Sequence, residues 1–207
     1  MLQATIIIDY QNVNLTGCNF FVRNSERKYT FINPHKFSMK LIEVRNMRQS
    51  KISEHAILLK TLVYRGLPSP QNDGKSNALN LSQADFWETF KGVEVTHRLL
   101  KYTNQNAQNN RIIVKKQEKG IDVLCALALV REARTSDLVI LASQDTDLIP
   151  AIEEAVALKQ AKIETFSWYS KSSRRSFELR SPVAPTWNTR LGEEEYFQCL
   201  DENTYGV

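Results

Sequence analysis

The sequence predicts a three-layer α/β domain in which helices cover both faces of a mostly parallel sheet. Two observations lead to this prediction. Segments with the composition of strands alternate along the chain with segments of helical periodicity, which is the pattern of βα units. The candidate strands are also continuous apolar runs without inside–outside alternation, which is typical of strands buried on both faces of a sheet.

The first part of the chain supplies two strands and one helix. Residues 5–9 form a short predicted strand, because three isoleucines precede an abrupt change to polar residues. We expect a long loop from residue 10 to about residue 32, of the kind that often carries function. A helix then begins with Asn33 as its cap and Pro34 at its first position. Residues 55–64 form the second predicted strand.

The middle of the chain continues the alternation and adds an arm. Residues 76–90 have a helical composition, and residues 93–99 form the third predicted strand. A polar stretch follows at 103–110, and residues 111–115 are again extended in character. We therefore expect a short hairpin arm between the third strand and the next helix.

The last predicted elements complete the sheet. Residues 119–134 form the clearest helix, because apolar residues recur along it at helical spacing. The fourth strand is a buried run at 137–142. Ser143 is the expected cap of a helix from about 145 to 159, and residues 161–166 form the fifth strand.

Length and composition favour one domain, at residues 1–168, followed by an extension at 169–207 that packs on the domain or enlarges it. A chain of 207 residues buries roughly 70% of its unfolded surface and needs no disulfide or structural metal to fold.

The longest apolar run, residues 123–130, is far below the roughly 18 residues of a membrane span. We also expect no signal peptide, and the three scattered cysteines favour a reduced, cytoplasmic protein.

The net charge of +4 is mild, but its distribution is uneven. Residues 97–119 and 171–190 are basic stretches, each holding a single acid, Glu118 or Glu178. A solvated surface explains such stretches as well as an RNA-binding surface does. The candidate RNA-binding residues are Arg98, Lys101, Arg111, Lys115, Lys116, Arg174 and Arg175.

Aromatic residues accompany both basic stretches. Tyr102 lies within the first stretch, and Trp168 and Tyr169 precede the second. Stacking of bases on these rings would suit a groove for single-stranded RNA. Packing in the hydrophobic core is the commoner role of large aromatic side chains.

Four aspartates lie where the chain leaves or approaches the ends of predicted strands. Asp9 ends the first strand, Asp122 opens the helix before the fourth strand, and Asp145 and Asp147 follow that strand. Sites in open parallel sheets form at the carboxyl ends of the strands, so we expect these side chains to lie close together. Helix capping alone explains Asp122, and it is also a common role for acids such as the later pair, although two acids there exceed what capping needs. Asp9 has no capping role visible in the sequence.

Convergence of these carboxylates would require a cation. Two like charges about 5 Å apart repel by roughly 3 kcal/mol at an effective dielectric near 20. Ligands that are all oxygen select Mg²⁺ or Mn²⁺ rather than zinc. Beside a phosphodiester, such an ion activates a water and stabilises the charge on the leaving oxygen. The sequence therefore predicts a Mg²⁺ or Mn²⁺ site.

These aspartates lie in three strings, IIIDYQNVN at 6–14, KGIDVLCALALV at 119–130 and LASQDTDLIPAI at 141–152. In order and spacing, over roughly residues 4–168, the strings resemble the NYN domain family, a branch of the PIN-like ribonuclease superfamily. The resemblance implies a Rossmann-like sheet with a divalent-metal site that cuts RNA. The implied metal ligands and catalytic residues are Asp9, Asp122, Asp145 and Asp147.

The resemblance also implies residues that support the metal ligands. Asn12 is a supporting polar ligand, and Ser143 and Thr146 are hydroxyl partners. Gln144 stands where glycine is common in the family, and Leu148 stands where phenylalanine is common, which affects the expected substrate fit. Lys116 and Lys119 precede the Asp122 helix, where they either contact the scissile phosphate or only solvate the surface.

Three functional hypotheses follow. The favoured one is an endoribonuclease with one or two metal ions, acting on single-stranded or structured cellular RNA. The second is a non-catalytic RNA-binding or regulatory protein that keeps the fold. A sugar transferase is the third, but it leaves Asp9 and Asp122 unexplained. The sequence contains no recognisable Ser–His–Asp set and no glycine-rich phosphate loop.

Overall fold

A computed structural model of the chain describes residues 1–22, 30–106, 112–172 and 175–206, with the side chains of 104–106 and 112–114 left undescribed. Two predicted RNA-binding residues, Arg111 and Arg174, lie outside the described residues. Among the helices in these ranges, none combines the length and apolar character that crossing a membrane requires.

A mostly parallel sheet forms the centre of the protein. The strands in the described ranges are β1 (Leu2–Asp9), β2 (Ala56–Leu67), β3 (Val93–Leu99), β4 (Lys101–Asn106), β5 (Ile112–Gln117), β6 (Leu138–Ala142), β7 (Lys162–Ser170), β8 (Arg175–Ser176) and β9 (Trp187–Leu191). The central order is β3–β2–β1–β6–β7, with all neighbours parallel. Beside β7 lie β9, which is parallel, and β8, which is antiparallel. The antiparallel pair β4–β5 forms a separate two-stranded arm.

Helices cover both faces of this sheet. They are α1 (Tyr10–Phe21), α2 (Pro34–Met47), α3 (Gly74–Trp87), α4 (Ile121–Glu132), α5 (Ile149–Ala157) and α6 (Glu193–Gln198). Ile6 and Ile8 pack in one core with residues of α1, α2 and α6, whereas Ile7 packs in a second core with residues of α4 and α5. Neighbouring residues of β1 are thus buried on opposite faces, as expected for a central parallel strand. The predicted three-layer α/β fold is confirmed.

The predicted loop from residue 10 is wrong over Tyr10–Phe21, because α1 begins directly after β1, and residues 23–29 of the predicted loop lie outside the described residues. The carboxylate of Asp9 caps this helix and accepts a hydrogen bond from the backbone N–H of Asn12 at 3.3 Å. The buried face of α1 includes Asn14 and Gly17 beside Tyr10, Val13 and Cys18, so its apolar periodicity is interrupted. A Cβ at Gly17 would lie 2.6 Å from the Tyr196 ring, so glycine permits close packing of α1 on α6.

Two other predicted boundaries change. Strand β2 continues to Leu67, three residues beyond its predicted end. The helix after β6 is preceded by a 3₁₀ turn, Thr146–Leu148, and Asp145 rather than Ser143 caps this turn, accepting from the backbone N–H of Asp147 at 3.0 Å. The strand at 93–99, the cap at Asn33 and the hairpin arm are confirmed.

The C-terminal segment after residue 168 contributes to the same sheet and core. Strand β7 runs on to Ser170, and β9 pairs with β7 from Glu164 to Trp168. Tyr196 of α6 is fully buried in the core that also contains Ile6 and Ile8.

Candidate functional site

The four predicted aspartates meet at one cleft at the carboxyl edge of the sheet. In the sheet, β2 and β3 lie on one side of β1, and β6 and β7 lie on the other side. Ligands of open α/β folds bind where the strand order reverses in this way. The cleft has a volume of about 500 Å³ and is lined by Asp9, Gln117, Glu118, Lys119, Gly120, Ile121, Asp122, Val123, Asp145 and Asp147.

Asp9 is the most buried of the four aspartates, with 6% of its surface exposed. Besides its bond from the Asn12 backbone, its carboxylate accepts a hydrogen bond from the Ser143 hydroxyl at 3.2 Å. Burial, and to a smaller extent the negative charges of Asp145 and Asp122, raise the pKa of Asp9 to about 6, against the lowering effect of the two hydrogen bonds. The absence of a capping role predicted for Asp9 is therefore wrong, but capping does not account for a buried, repelled carboxylate.

Asn12 and Ser143 connect the loops that carry the aspartates. The side-chain oxygen of Asn12 accepts a hydrogen bond from the backbone N–H of Gln144 at 2.9 Å. The Ser143 hydroxyl, besides donating to Asp9, accepts from the backbone N–H of Asp145 at 3.1 Å. These two side chains fix the start of α1 against the segment after β6.

The later aspartates lie nearer to solvent. Asp145 is half-buried, and Asp147 is exposed on the 3₁₀ turn. Thr146 is also exposed and is not one of the described residues that line the cleft.

The Lys119–Gly120 pair turns the chain into α4. Gly120 has a φ of 77°, in the left-handed region, which glycine adopts without steric cost. Asp122 lies in the first turn of the helix that follows. A Cβ at Gly120 would lie 3.1 Å from the central carbon of the Arg98 guanidinium. Arg98 therefore lies against the start of α4, at the rim of the cleft.

Glu118 is a fifth carboxylate of the cleft that the sequence analysis did not assign to the site. Its pKa is raised to about 7 by burial and by the charge of Asp9, against the lowering effects of a hydrogen bond from Gly66 and the charge of Arg65. One local signal could have identified it, because it is an acid at the end of a strand within an otherwise basic stretch.

The donor chemistry of the cleft fits Mg²⁺ or Mn²⁺, because its lining holds carboxylates and neither histidine nor cysteine. Across the part of the chain that the structure describes, no three acidic, histidine or cysteine side chains are grouped closely enough to hold a metal ion as they stand. The Mg²⁺ or Mn²⁺ site therefore stays a prediction, which the carboxylate lining of the cleft fits by donor type alone.

The arm presents two different faces. Residues directly opposite each other in an antiparallel pair lie on the same face, so Lys101 and Lys115 share a face with Gln117, which lines the cleft. The other face carries Tyr102 and Lys116. There the Tyr102 hydroxyl accepts from the backbone N–H of Ser69 at 3.0 Å, and Lys116 forms an ion pair with Asp73 at 3.2 Å. Tyr102 therefore anchors the arm to the loop before α3.

The second basic stretch is partly neutralised. Arg180 and Arg190 both pair with Glu178. Trp168 is fully buried, and its ring N–H donates to the carbonyl of Val13 at 2.9 Å, which confirms its interpretation as a core residue. Arg175 is exposed on β8, beside the end of β7.

Neither a family model nor a curated protein matches the sequence. A crystal structure of a protein of unknown function from Vibrio parahaemolyticus shares 17% identity, covers 80% of each chain and gives a TM-score of 0.43. A likeness at this level carries no functional conclusion. The functional assignment rests on the residues of the cleft.

Proposed function

We propose that this chain is a metal-dependent endoribonuclease of the NYN type, with Mg²⁺ or Mn²⁺ held by Asp9, Asp122, Asp145 and Asp147. One observation carries the proposal. Aspartates from three separate segments of the sequence line a single cleft at the crossover point of a parallel sheet. Helix capping accounts for single aspartates at helix starts, but it does not require them to share a cleft.

The electrostatics of the cleft support a bound cation. A carboxylate as buried as Asp9 is destabilised in its charged form, and its acidic neighbours add to the destabilisation. Perturbed groups of this kind are concentrated at functional sites. A divalent cation would relieve the repulsion and restore the charged form of Asp9 at neutral pH.

Each residue of the cleft has a role in this proposal. A bound divalent ion supplies an activated water and neutralises charge on the leaving oxygen. Asp9 and Asp145 are the central ligands. Asp122 and Asp147 would hold the ion directly or through water, and one of them would orient the attacking water. Lys119, exposed at the cleft, faces the scissile phosphate.

The proposed partner is RNA, bound along the arm. Lys101 and Lys115 lie on the arm face that leads to Gln117 in the cleft, and Arg98 lies at the rim beside Gly120. A basic face leading to an acidic cleft suits a phosphate backbone that must reach a metal. Cys18, Cys125 and Cys199 are all buried, and we propose a reduced, cytoplasmic location.

A non-catalytic RNA-binding protein is the second candidate. The observation that favours it is that the acids of the described residues do not form a ready-made group of three ligands. The two candidates differ in whether RNA is cut when Mn²⁺ is added.

The test is incubation of the purified chain with mixed cellular RNA and Mn²⁺, followed by sequencing of the new ends. We expect cleavage that leaves a 5′-phosphate and a 3′-hydroxyl and that stops in excess chelator. Asp9→Asn and Asp145→Asn should abolish it, whereas Asp85→Asn, which makes the same change at an exposed residue of α3, should retain it. Ends with a 2′,3′-cyclic phosphate, or full activity in chelator, would contradict the mechanism. RNA binding without cleavage would favour the second candidate.

A further inference from the structure

The base of the arm contacts the end of strand β2 at Gly66. Strand β2 continues past Tyr64, which pairs with Asp9, the last residue of β1. Backbone groups of successive strand residues point to opposite sides, and the Thr61 N–H points to the β3 side, where it bonds the Gly92 carbonyl. The N–H of Gly66 therefore points to the side of β2 on which β1 lies, but beyond the last residue of β1.

Glu118 supplies the hydrogen-bond acceptor that β1 no longer provides. Its carboxylate accepts from the Gly66 N–H, joining residues 52 positions apart. Glu118 pairs with no Lys, Arg or His within ion-pair distance among the described residues. Its polar contact is thus with the end of a strand rather than with a cation.

Both ends of the arm meet Gly66. A Cβ at this position would lie 2.5 Å from Leu100 Cδ2 and 2.6 Å from Glu118 Oε1. Leu100 directly precedes β4, and Glu118 directly follows β5. Leu100 is also held by the bond from its N–H to the Leu67 carbonyl at 2.9 Å. The missing side chain of Gly66 thus makes room for the base of the arm.

We infer that Glu118 is a positioning residue, which locks the arm and the start of α4 onto Gly66 so that the basic face and Asp122 both face the cleft. Only Lys119 and Gly120 separate Glu118 from α4, so one hydrogen bond restrains the arm on one side and the Asp122 helix on the other. The inference deepens the proposed function and rests on it for the role of RNA.

The variants are chosen to separate this bond from the charge of Glu118. Glu118→Gln keeps an acceptor for the Gly66 N–H, and Glu118→Ala removes it. In Gly66→Ala the new Cβ would clash with the side-chain ends of Glu118 and Leu100, so that both side chains would have to move. Gly74→Ala is the matched control, because a Cβ there meets nothing within 4 Å.

The experiment measures amide exchange at Gly66 by NMR and the affinity for a labelled single-stranded oligoribonucleotide in chelator, with thermal melting to confirm folding. We expect slow exchange in wild type and Glu118→Gln and fast exchange in Glu118→Ala. We expect RNA affinity to fall by roughly tenfold, the scale of one lost hydrogen bond, in Glu118→Ala and Gly66→Ala. Glu118→Gln and Gly74→Ala should bind like wild type.

Other outcomes overturn the inference. Fast exchange at Gly66 in wild type would show that the bond does not hold the strand end. Equal RNA affinity in all variants, or equal loss in Glu118→Gln and Glu118→Ala, would show that the bond does not position the arm. If wild type binds no RNA, the proposed function fails, and the exchange of the Gly66 amide in wild type and Glu118→Ala decides the inference by itself.

Discussion

The hydroxyl of Ser143 donates a hydrogen bond to the carboxylate of Asp9 at 3.2 Å. Asp9 ends β1 and Ser143 follows β6, so this bond spans the crossover point of the sheet. The same hydroxyl accepts from the backbone N–H of Asp145 at 3.1 Å. One small side chain thus sets the positions of two candidate metal ligands.

Ser143→Ala should therefore raise the pKa of Asp9 above its value of about 6, because the Ser143 bond lowers that pKa. It should also destabilise the protein by about 1–3 kcal/mol, since buried polar groups lose their partner. An NMR titration of the Asp9 carboxyl and urea unfolding measure the two effects. Ser176→Ala is the control, because it removes a serine hydrogen bond away from the cleft. An unchanged Asp9 pKa in Ser143→Ala would contradict the assigned contact.

The charge of Asp9 should make the stability depend on pH in chelator. Its pKa rises from an ordinary 3.8 to about 6 on folding, so between these values the folded state binds more protons than the unfolded state. The free energy of unfolding should thus fall as pH rises through this window. At pH values above the window, the folded state should have lost at most about 3 kcal/mol of stability.

The Asp9→Asn variant isolates this penalty, because asparagine caps helices as well as aspartate does. In chelator at pH 8, Asp9→Asn should be more stable than wild type, and the difference should vanish near pH 4. Urea unfolding across this range measures it, with Asp85→Asn as the control. A variant less stable than wild type at pH 8 would mean that the Asp9 charge stabilises the fold.

The two faces of the arm should differ in their effect on RNA binding. Lys101→Ala and Lys115→Ala, on the face shared with Gln117, should each flatten the slope of log affinity against log salt by about 0.7. Lys116→Ala should change the slope less, because Lys116 pairs with Asp73 on the other face. Fluorescence anisotropy in chelator measures the slopes. Unchanged slopes for all three variants would place RNA elsewhere, on residues 171–190.

Local patterns in the sequence were sufficient for the five central strands and for the candidate ligands, but not for β8 and β9 beside β7. The isoleucines before Asp9 form a β-branched apolar run that ends abruptly, which identifies a buried strand and its end without tertiary information. The aspartates at strand ends follow from the same positions, because the topology of parallel sheets brings those ends to one edge.

Features that depend on contacts between distant segments could not be predicted. Asn14 and Gly17 interrupt the apolar residues on the buried face of helix α1, and its close packing depends on Gly17 meeting Tyr196 across the fold. Because this helix was not predicted, the capping role of Asp9 was not predicted either. Glu118 stands out locally as an acid within a basic stretch, but no local pattern encodes its contact with Gly66, 52 residues away.

The most direct test of a shared cation site is the stabilisation of the chain by Mn²⁺. Wild type and Asp85→Asn should gain about 2.7 kcal/mol at a hundredfold excess of Mn²⁺ over its Kd. Asp9→Asn and Asp145→Asn should gain much less, although in chelator they should melt at or above the wild-type temperature. Thermal unfolding of the four proteins with and without Mn²⁺ gives the comparison. Equal destabilisation of Asp9→Asn and Asp145→Asn in chelator and in Mn²⁺ would show that these aspartates are structural and would contradict the nuclease proposal.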